Sequence, residues 1–412
     1  MSTRVWLAGS GMTSFGAHTA LSVKNLCAQA FDEATKDAGC RPQDIQAAYF
    51  GNSAQGALEG QHSIRGQVAL RSLGLGGLPV VNVENACASG STALHLAVNH
   101  IRSGAADIVL AIGVEKMVGG DKAKSLALFD GGWDVHTREA NIRTLAGSWF
   151  DPAEVLAGNQ RRSVFMDLYA MMARHHMEHY GTTQLQLAMV AEKNHFHSTF
   201  NPLAQFQRAF SIEEILAAPA ISGPLTLPMC AALSDGASAV ILASDEGLRR
   251  LRGSKPLAVL ASVLRSGSDR DPRDFDRHIC RLAANSAYEQ AGVGPQEMDV
   301  AEVHDAASFG EIIQTECLGF CPPGEGGALA QSGQTRLGGR IPVNTSGGLQ
   351  SKGHPIGATG LGQIHELALQ LRGRAQGRQV PEARFAIAEN GGGLIGVEEA
   401  TTVITILGRE TP

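Results

Sequence analysis

The sequence predicts an α/β protein whose second half repeats the pattern of the first, with a helical region inserted into the first half. Three observations carry this. Apolar, β-branched runs of strand length alternate with stretches of 3.6-residue period, over residues 5–113 and again over 257–407. From Gly119 to about Phe210 there is no strand signal, and Met, His, Arg and Gln abound. Two segments also look alike: Cys87-Ala-Ser-Gly-Ser-Thr-Ala-Leu-His-Leu-Ala-Val and Gly357-Ala-Thr-Gly-Leu-Gly-Gln-Ile-His-Glu-Leu-Ala. Each sets small residues ahead of a long apolar-faced helix, so two buried helices can approach closely between sheets. The expected division is 1–118 and 211–250 for the first half, 119–210 for the inserted loop domain and 251–412 for the second half.

In chain order, Val5–Ala8 reads as a strand. Leu21–Asp37 reads as a helix, with Leu21, Leu26, Ala30 and Ala34 on one face and Gly39 closing it. Ala47–Phe50 and Val80–Val83 are short strands, and a helix runs from Cys87 to about Ser103. Ile108–Gly113 is apolar almost without alternation, as a strand buried on both faces would be. Val164–Tyr180 and Gln184–Asn194 are helical stretches of the insertion. Ala237–Ala243 returns to strand, and the charged stretch 245–256 reads as a linker. Then follow strand Leu257–Val263, helix His278–Gly292, strand Val300–Val303, helix Thr359–Arg372, strand Phe385–Ala388 and strand Thr401–Leu407.

The chain of 412 residues is ample for a sizeable core. With 43% hydrophobic and 18% charged residues it is not a disordered polyelectrolyte. Its net charge of −6 lacks the footprint of a general nucleic-acid binder. No apolar run reaches the ~18 residues that a membrane helix needs. Seven scattered cysteines, an odd number, suit free thiols in a reducing compartment better than a disulfide framework. The 49 glycines point to tight turns and close backbone approaches. The opening residues are too short for a signal peptide, and the final Gly408-Arg-Glu-Thr-Pro412 is not a peroxisomal address, so cytoplasm is the expected location.

Four places carry candidate chemistry. Cys87 follows a strand and opens a helix, where the helix N-terminus is expected to lower the thiol pKa; its small neighbours leave room for an acyl group. His354 stands between Gly353 and Pro355 just before a helix, its backbone held extended by the proline. His304 lies at the carboxyl end of a buried strand, where ligand groups gather in α/β sheets, although a structural pairing with Asp305 would place it there too. Glu389-Asn390-Gly391-Gly392-Gly393 exposes backbone amides that suit an anion, or else makes a tight turn.

These segments occur in the order found in thiolases. The sequence resembles that family over nearly its whole length. His304-Asp305, Leu233-Ser234-Asp235-Gly236-Ala237 and Lys193-Asn194-His195 through Asn201-Pro202 resemble the sterol-carrier-protein-2 type in particular. The resemblance implies the thiolase fold, two duplicated α/β halves layered α-β-α-β-α with an inserted helical loop domain, and an acyltransferase acting on acyl-coenzyme A. Cys87 would be the acylated nucleophile and His354 its activator. His304 would sit at the oxyanion hole for the enolate, and the backbone amides of Cys87 and Gly391 would form the hole for the acyl-enzyme. The inserted helices would receive coenzyme A, and the chain would form a homodimer or homotetramer. No cofactor or metal is implied, coenzyme A being substrate.

The sequence also departs from the pattern. Most thiolases carry a second cysteine two residues before the first of the late glycines, where this chain has Glu389. The sterol-carrier type carries it just after His-Asp, where this chain has Ala306. Condensation without loss of CO₂ needs a base for an α-proton, and cleavage needs an acid. Glu389 is a candidate base, against a structural carboxylate paired with an arginine; Cys317 and Cys321 lie further along. The Cys-His-His set also resembles that of decarboxylating ketoacyl synthases. A retro-aldol lyase, with a small zinc-ribbon/OB-fold partner protein, and an accessory coenzyme A-binding subunit are the rival readings. Gly9-Ser10-Gly11 lacks the third glycine of a dinucleotide turn, Ser14 standing there. The histidines at 175, 176, 179, 195 and 197 lack the cysteine or carboxylate support of a metal site.

Overall fold

In the computed structural model, residues 3–409 are described apart from 147–149, 158–161, 254, 269 and 272. Met1, Ser2 and residues 410–412, on which part of the targeting expectation rests, lie outside the described residues, as do two pieces of the helical insertion. The strands are β1 (Trp6–Met12), β2 (Ala47–Gly51), β3 (Val80–Val83), β4 (Ile108–Glu115), β5 (Ala220–Ser222), β6 (Leu225–Thr226), β7 (Gly236–Ala243), β8 (Leu257–Ser266), β9 (Val300–Glu302), β10 (Phe385–Gly392) and β11 (Thr401–Arg409). Nine of them form one sheet in the order β3-β2-β4-β7-β1-β8-β11-β10-β9, and β5 and β6 form a separate pair.

The duplication is written in the pairing. In the first half β7 runs antiparallel between β1 and β4, and β2 pairs parallel with β4 and β3. In the second half β11 runs antiparallel between β8 and β10, and β10 pairs parallel with β9. Where β3 flanks β2, the second half has an isolated parallel bridge from Val343 to Ala301. Within the sheet the halves join through β1 and β8, at Trp6↔Ala258 and Leu7↔Leu257.

Helices complete the layers. Leu26, Ala30, Phe31 and Ala34 of the helix Val23–Ala38 pack on the outer face of the first half, against Ile108, Leu110 and Ile241. Ala283, Ala284 and Ala287 of the helix Ile279–Ala291 pack on the second, against Ile387, Ile404 and Ile406. The look-alike helices Ser89–Arg102 and Thr359–Leu371 share one core between the halves. The apolar run of β4 follows from this: Ile108, Leu110, Ile112 and Val114 face the outer core, Val109 and Ala111 the central one. Small residues let the central helices meet. A Cβ on Gly90 would stand 2.7 Å from the Gly357 carbonyl, and one on Gly360 would stand 2.7 Å from Ser91.

Between β4 and β5 the described residues form helices, among them Arg138–Ala146, Val164–Tyr180 and Gln184–Ser198. Buried polar groups dock the last of these onto the second half. Lys193 Nζ donates to the Val343 carbonyl at 2.6 Å and pairs with Glu311 at 2.8 Å. Asn194 donates to Asp305 and Glu311, and Asn201 to the Ser346 carbonyl. Three local expectations are corrected. Part of the supposed linker is the helix Asp245–Arg250, capped by the Ser244 hydroxyl. Glu389–Gly392 continue β10 instead of turning, because Thr401–Ile404 pair with them; the left-handed turn comes only at Gly393 (φ 65°). An unexpected helix, Ser308–Cys317, follows His304. All seven cysteines are free.

Candidate active site

Cys87 sits on the sharp turn between β3 and the helix Ser89–Arg102. Ala86 before it is held at φ 49°, a left-handed strain uncommon for a side-chain-bearing residue and familiar at nucleophile turns. The Glu84 carboxylate accepts from the Ala86 amide at 2.7 Å, and the Ser89 hydroxyl accepts from the Asn85 amide at 2.9 Å, which pins the turn.

His354 reaches this turn from the other half. Its Nε2 lies 3.3 Å from Cys87 Sγ, and its Nδ1 lies 2.7 Å from the Thr359 hydroxyl. That hydroxyl donates to the Pro355 carbonyl at 3.1 Å, so it accepts from Nδ1–H. The bonding therefore assigns the tautomer in which Nε2 is free of a proton and faces the thiol. The backbone is fixed as well: the His354 amide donates to Ser234 Oγ, and Glu115 accepts from the Gly357 amide. His304 completes the set, stacked edge-on to His354 at 5.2 Å between ring centroids. Its Nδ1 is 3.5 Å from the Tyr169 hydroxyl, and its buried Nε2 has no hydrogen-bond partner among the described residues. The three ligand-type atoms of Cys87, His304 and His354 lie within 4.8 Å of one another.

Electrostatics overturn one expectation. Burial, reinforced by Glu115 and Glu84, pushes the Cys87 thiol up to about 12. The helix N-terminus does not win, because desolvation of a thiolate outweighs a few backbone dipoles. Burial likewise holds His304 down to about 4 and His354 well below the usual range. The resting pair is a neutral thiol beside a neutral imidazole.

Glu389 is fully buried but does not line the cavity. Its oxygens accept from the His304 amide at 2.9 Å and the Thr402 hydroxyl at 3.2 Å, not from the arginine expected of a structural carboxylate. Burial and Glu399 raise its pKa to about 8. Gly391 is paired with Thr402 in the sheet, and the neighbouring Gly392 and Gly393 form the cavity wall. Asp305 does not pair with His304: it accepts from the Leu349 amide and from Gln350 and Asn194. Ala306 stands on the cavity wall, whereas Cys317 packs in the second-half core. The insertion histidines serve separate partners: His176 meets Thr182 and Glu316, His195 the Pro228 carbonyl, and His197 the Asn344 carbonyl.

The cavity is about 870 Å³, within the range of small-molecule sites, and its wall includes Cys87, His304, His354, Tyr169, Cys230 and Glu399. The last three carried no sequence signal, since none belongs to a motif and only the fold brings them to the wall. Lys122 and Arg162 also stand on the wall, Arg162 paired with Asp167 at 2.8 Å.

The model of the thiolase N-terminal domain matches residues 5–215, and that of the thiolase C-terminal domain-like family matches residues 264–409. The chain is 39% identical to an acetyl-CoA acetyltransferase of Methanothermobacter thermautotrophicus, over 94% of this chain and 96% of the relative. It is 37% identical to the benzoylsuccinyl-CoA thiolase subunit BbsB of Thauera aromatica, over 95% of both. It is 38% identical to bovine (Bos taurus) sterol carrier protein 2, over 97% of this chain and 71% of the relative. In fold it matches a structure described as an Ltp2-ChsH2(DUF35) aldolase (TM-score 0.76, 23% identity, 100% of this chain and 99% of that one). It also matches human mitochondrial 3-ketoacyl-CoA thiolase (TM-score 0.72, 17% identity, 99% of each). Matched at both ends by the family's domains, and sharing more than a third of its residues with such relatives, the chain belongs to the thiolase family.

Proposed function

We propose that the chain is an acyltransferase working on acyl-coenzyme A thioesters through an acyl-Cys87 intermediate, either cleaving a 3-ketoacyl thioester or condensing two acyl groups. The observation that carries this is the 3.3 Å approach of Cys87 Sγ to the proton-free Nε2 of His354 on the cavity wall. With both groups neutral at rest, His354 takes the thiol proton as sulfur attacks the substrate carbonyl. Backbone amides at Cys87 and along Gly391–Gly393 steady the oxyanion, and the departing coenzyme A sulfur takes the proton back. His304, with Nε2 unpartnered, serves the enolate oxygen of the second acyl group. Glu389 acts through His304 by holding its backbone. Lys122, on the cavity wall at the start of an inserted helix, favours an anionic ligand such as coenzyme A. No step calls for a redox cofactor or a resident metal.

Intact-protein mass spectrometry after incubation with acetyl-CoA, and with a longer acyl-CoA, tests this. The expected result is one acyl adduct on the wild type and none on Cys87→Ala. An unlabelled wild type would overturn it.

A second reading, a retro-aldol lyase on a β-hydroxyacyl thioester, is favoured by the absence of a thiol at both usual second positions, Ala306 and Glu389. The fold neighbour described as an aldolase names a second component, ChsH2(DUF35), and a small zinc-ribbon/OB-fold partner belongs to this reading. Cleavage that survives in Cys87→Ala would establish it; loss there rejects it.

A further inference from the structure

We propose that Glu399 is a catalytic residue of this site, the acid–base group that takes and returns the α-carbon proton where a second cysteine would otherwise act. This rests on the acyl-transfer reading above.

Glu399 lies in the connection from β10 to β11, on the wall of the cavity that holds Cys87 and both histidines. It also borders an adjoining cavity of about 190 Å³, which it shares with Tyr169 and His278. The glycine run makes its seat. A Cβ on Gly391 would stand 2.6 Å from Glu399 Cγ, so any side chain there would displace the carboxylate. The next glycine packs on the nucleophile's turn, where a Cβ on Gly392 would meet the Asn85 carbonyl at 2.3 Å and the Ala88 amide at 2.6 Å. Consecutive residues of one strand thus touch the carboxylate and the cysteine turn.

The two oxygens differ. Oε1 accepts from Gln314 at 2.6 Å, which orients the group. Oε2 is buried without a hydrogen-bond partner among the described residues. A native protein leaves a buried carboxylate oxygen open only for a reason, and a reacting proton is one. Behind it, His278 Nδ1 accepts from the Cys280 amide, so Nε2 carries the hydrogen, 4.0 Å from Oε2. Burial and Glu398 raise the Glu399 pKa, the direction that proton exchange near neutrality requires.

The other candidates fit less well. Both Glu389 oxygens are taken and it is off the wall. Ala306 has no group to offer. Cys230 is on the wall, but its Sγ donates to the Thr226 carbonyl.

In condensation, the Glu399 carboxylate takes a proton from the α-carbon of the second thioester, and the electron pair becomes an enolate facing His304. The α-carbon then attacks the acyl carbon on Cys87; the carbon–carbon bond forms and the carbon–sulfur bond breaks. The released thiolate regains a proton through His354, balancing the one held by Glu399. In cleavage the carboxylic acid gives its proton to the α-carbon as the carbon–carbon bond breaks.

The test is deuterium uptake into the acetyl group of acetyl-CoA in D₂O, followed by NMR, beside Cys87 acylation by mass spectrometry. Glu399→Gln is expected to lower exchange about 100-fold or more while Cys87 still acylates, which shows the site folded. Glu399→Asp keeps part of the exchange. Undiminished exchange in Glu399→Gln, or a wild type that acylates but never exchanges, would overturn the proposal. Exchange does not pass through Cys87, so a wild type that fails to acylate counts against the acyl-transfer reading alone.

Discussion

Burial decides the chemistry of Cys87. A thiol held at about 12 is essentially all protonated through the neutral range, so thiolate grows tenfold with each pH unit. Alkylation of Cys87 by iodoacetamide, read by peptide mass spectrometry, should therefore climb about tenfold per unit from pH 7 to 9 without levelling. A plateau near neutrality would mean a preformed thiolate and refute the neutral pair. The burden then falls on His354, whose tautomer depends on Thr359. Thr359→Val removes that acceptor and frees the ring to carry its proton on Nε2. Acylation measured by stopped flow should slow about 100-fold, and an unchanged rate would show that something else sets the tautomer. Cys87, His354 and His304 were legible because each sits in a distinctive local sequence. Glu399 was not: it is the second half of a Glu-Glu pair in a loop, and only the fold brings it to the cysteine.

At the scale of elements, the central helices meet because residues around them have no side chain. Gly113 on β4 is the tightest case, since a Cβ there would stand 2.0 Å from the Gly357 carbonyl. That atom is backbone in the turn carrying His354, so it cannot yield cheaply. Gly113→Ala should cost on the order of 3 kcal/mol in chemical denaturation, whereas Gly120→Ala, with open space around it, should be silent. Equal stability of the two variants would show that the turn can move aside. The close approach was visible in the paired small-residue segments, as were most strands and the helices with an apolar stripe. The helix Ser308–Cys317 was not, because Glu311, Gln314 and Glu316 are buried polar residues that break the apolar stripe. The late glycines misled in the opposite sense. Their composition reads as a turn, but pairing with β11 holds them in a strand.

For the whole molecule, duplication leaves the two ends of the sheet unequal. The second half ends with the Val343 bridge beside β9, while the first half ends in β3, paired with β2 on one side only. Among the described residues no strand pairs with the outer side of β3. Such an edge invites another strand, and Val81 on it is an apolar side chain 44% exposed. The simplest closed arrangement sets β3 of a second copy antiparallel to it about a twofold axis. The homo-oligomer that the family resemblance implies would form there. It would also brace the site, because β3 runs directly into the Glu84–Cys87 turn with its strained Ala86. Sedimentation equilibrium at micromolar concentration should give a dimer or a multiple of it. Val81→Lys places like charges opposite each other across the axis, so it should shift the mass toward the monomer and slow Cys87 acylation together. A monomeric wild type would reject the arrangement. Dissociation of the variant with acylation intact would keep the interface and reject its part in bracing the nucleophile.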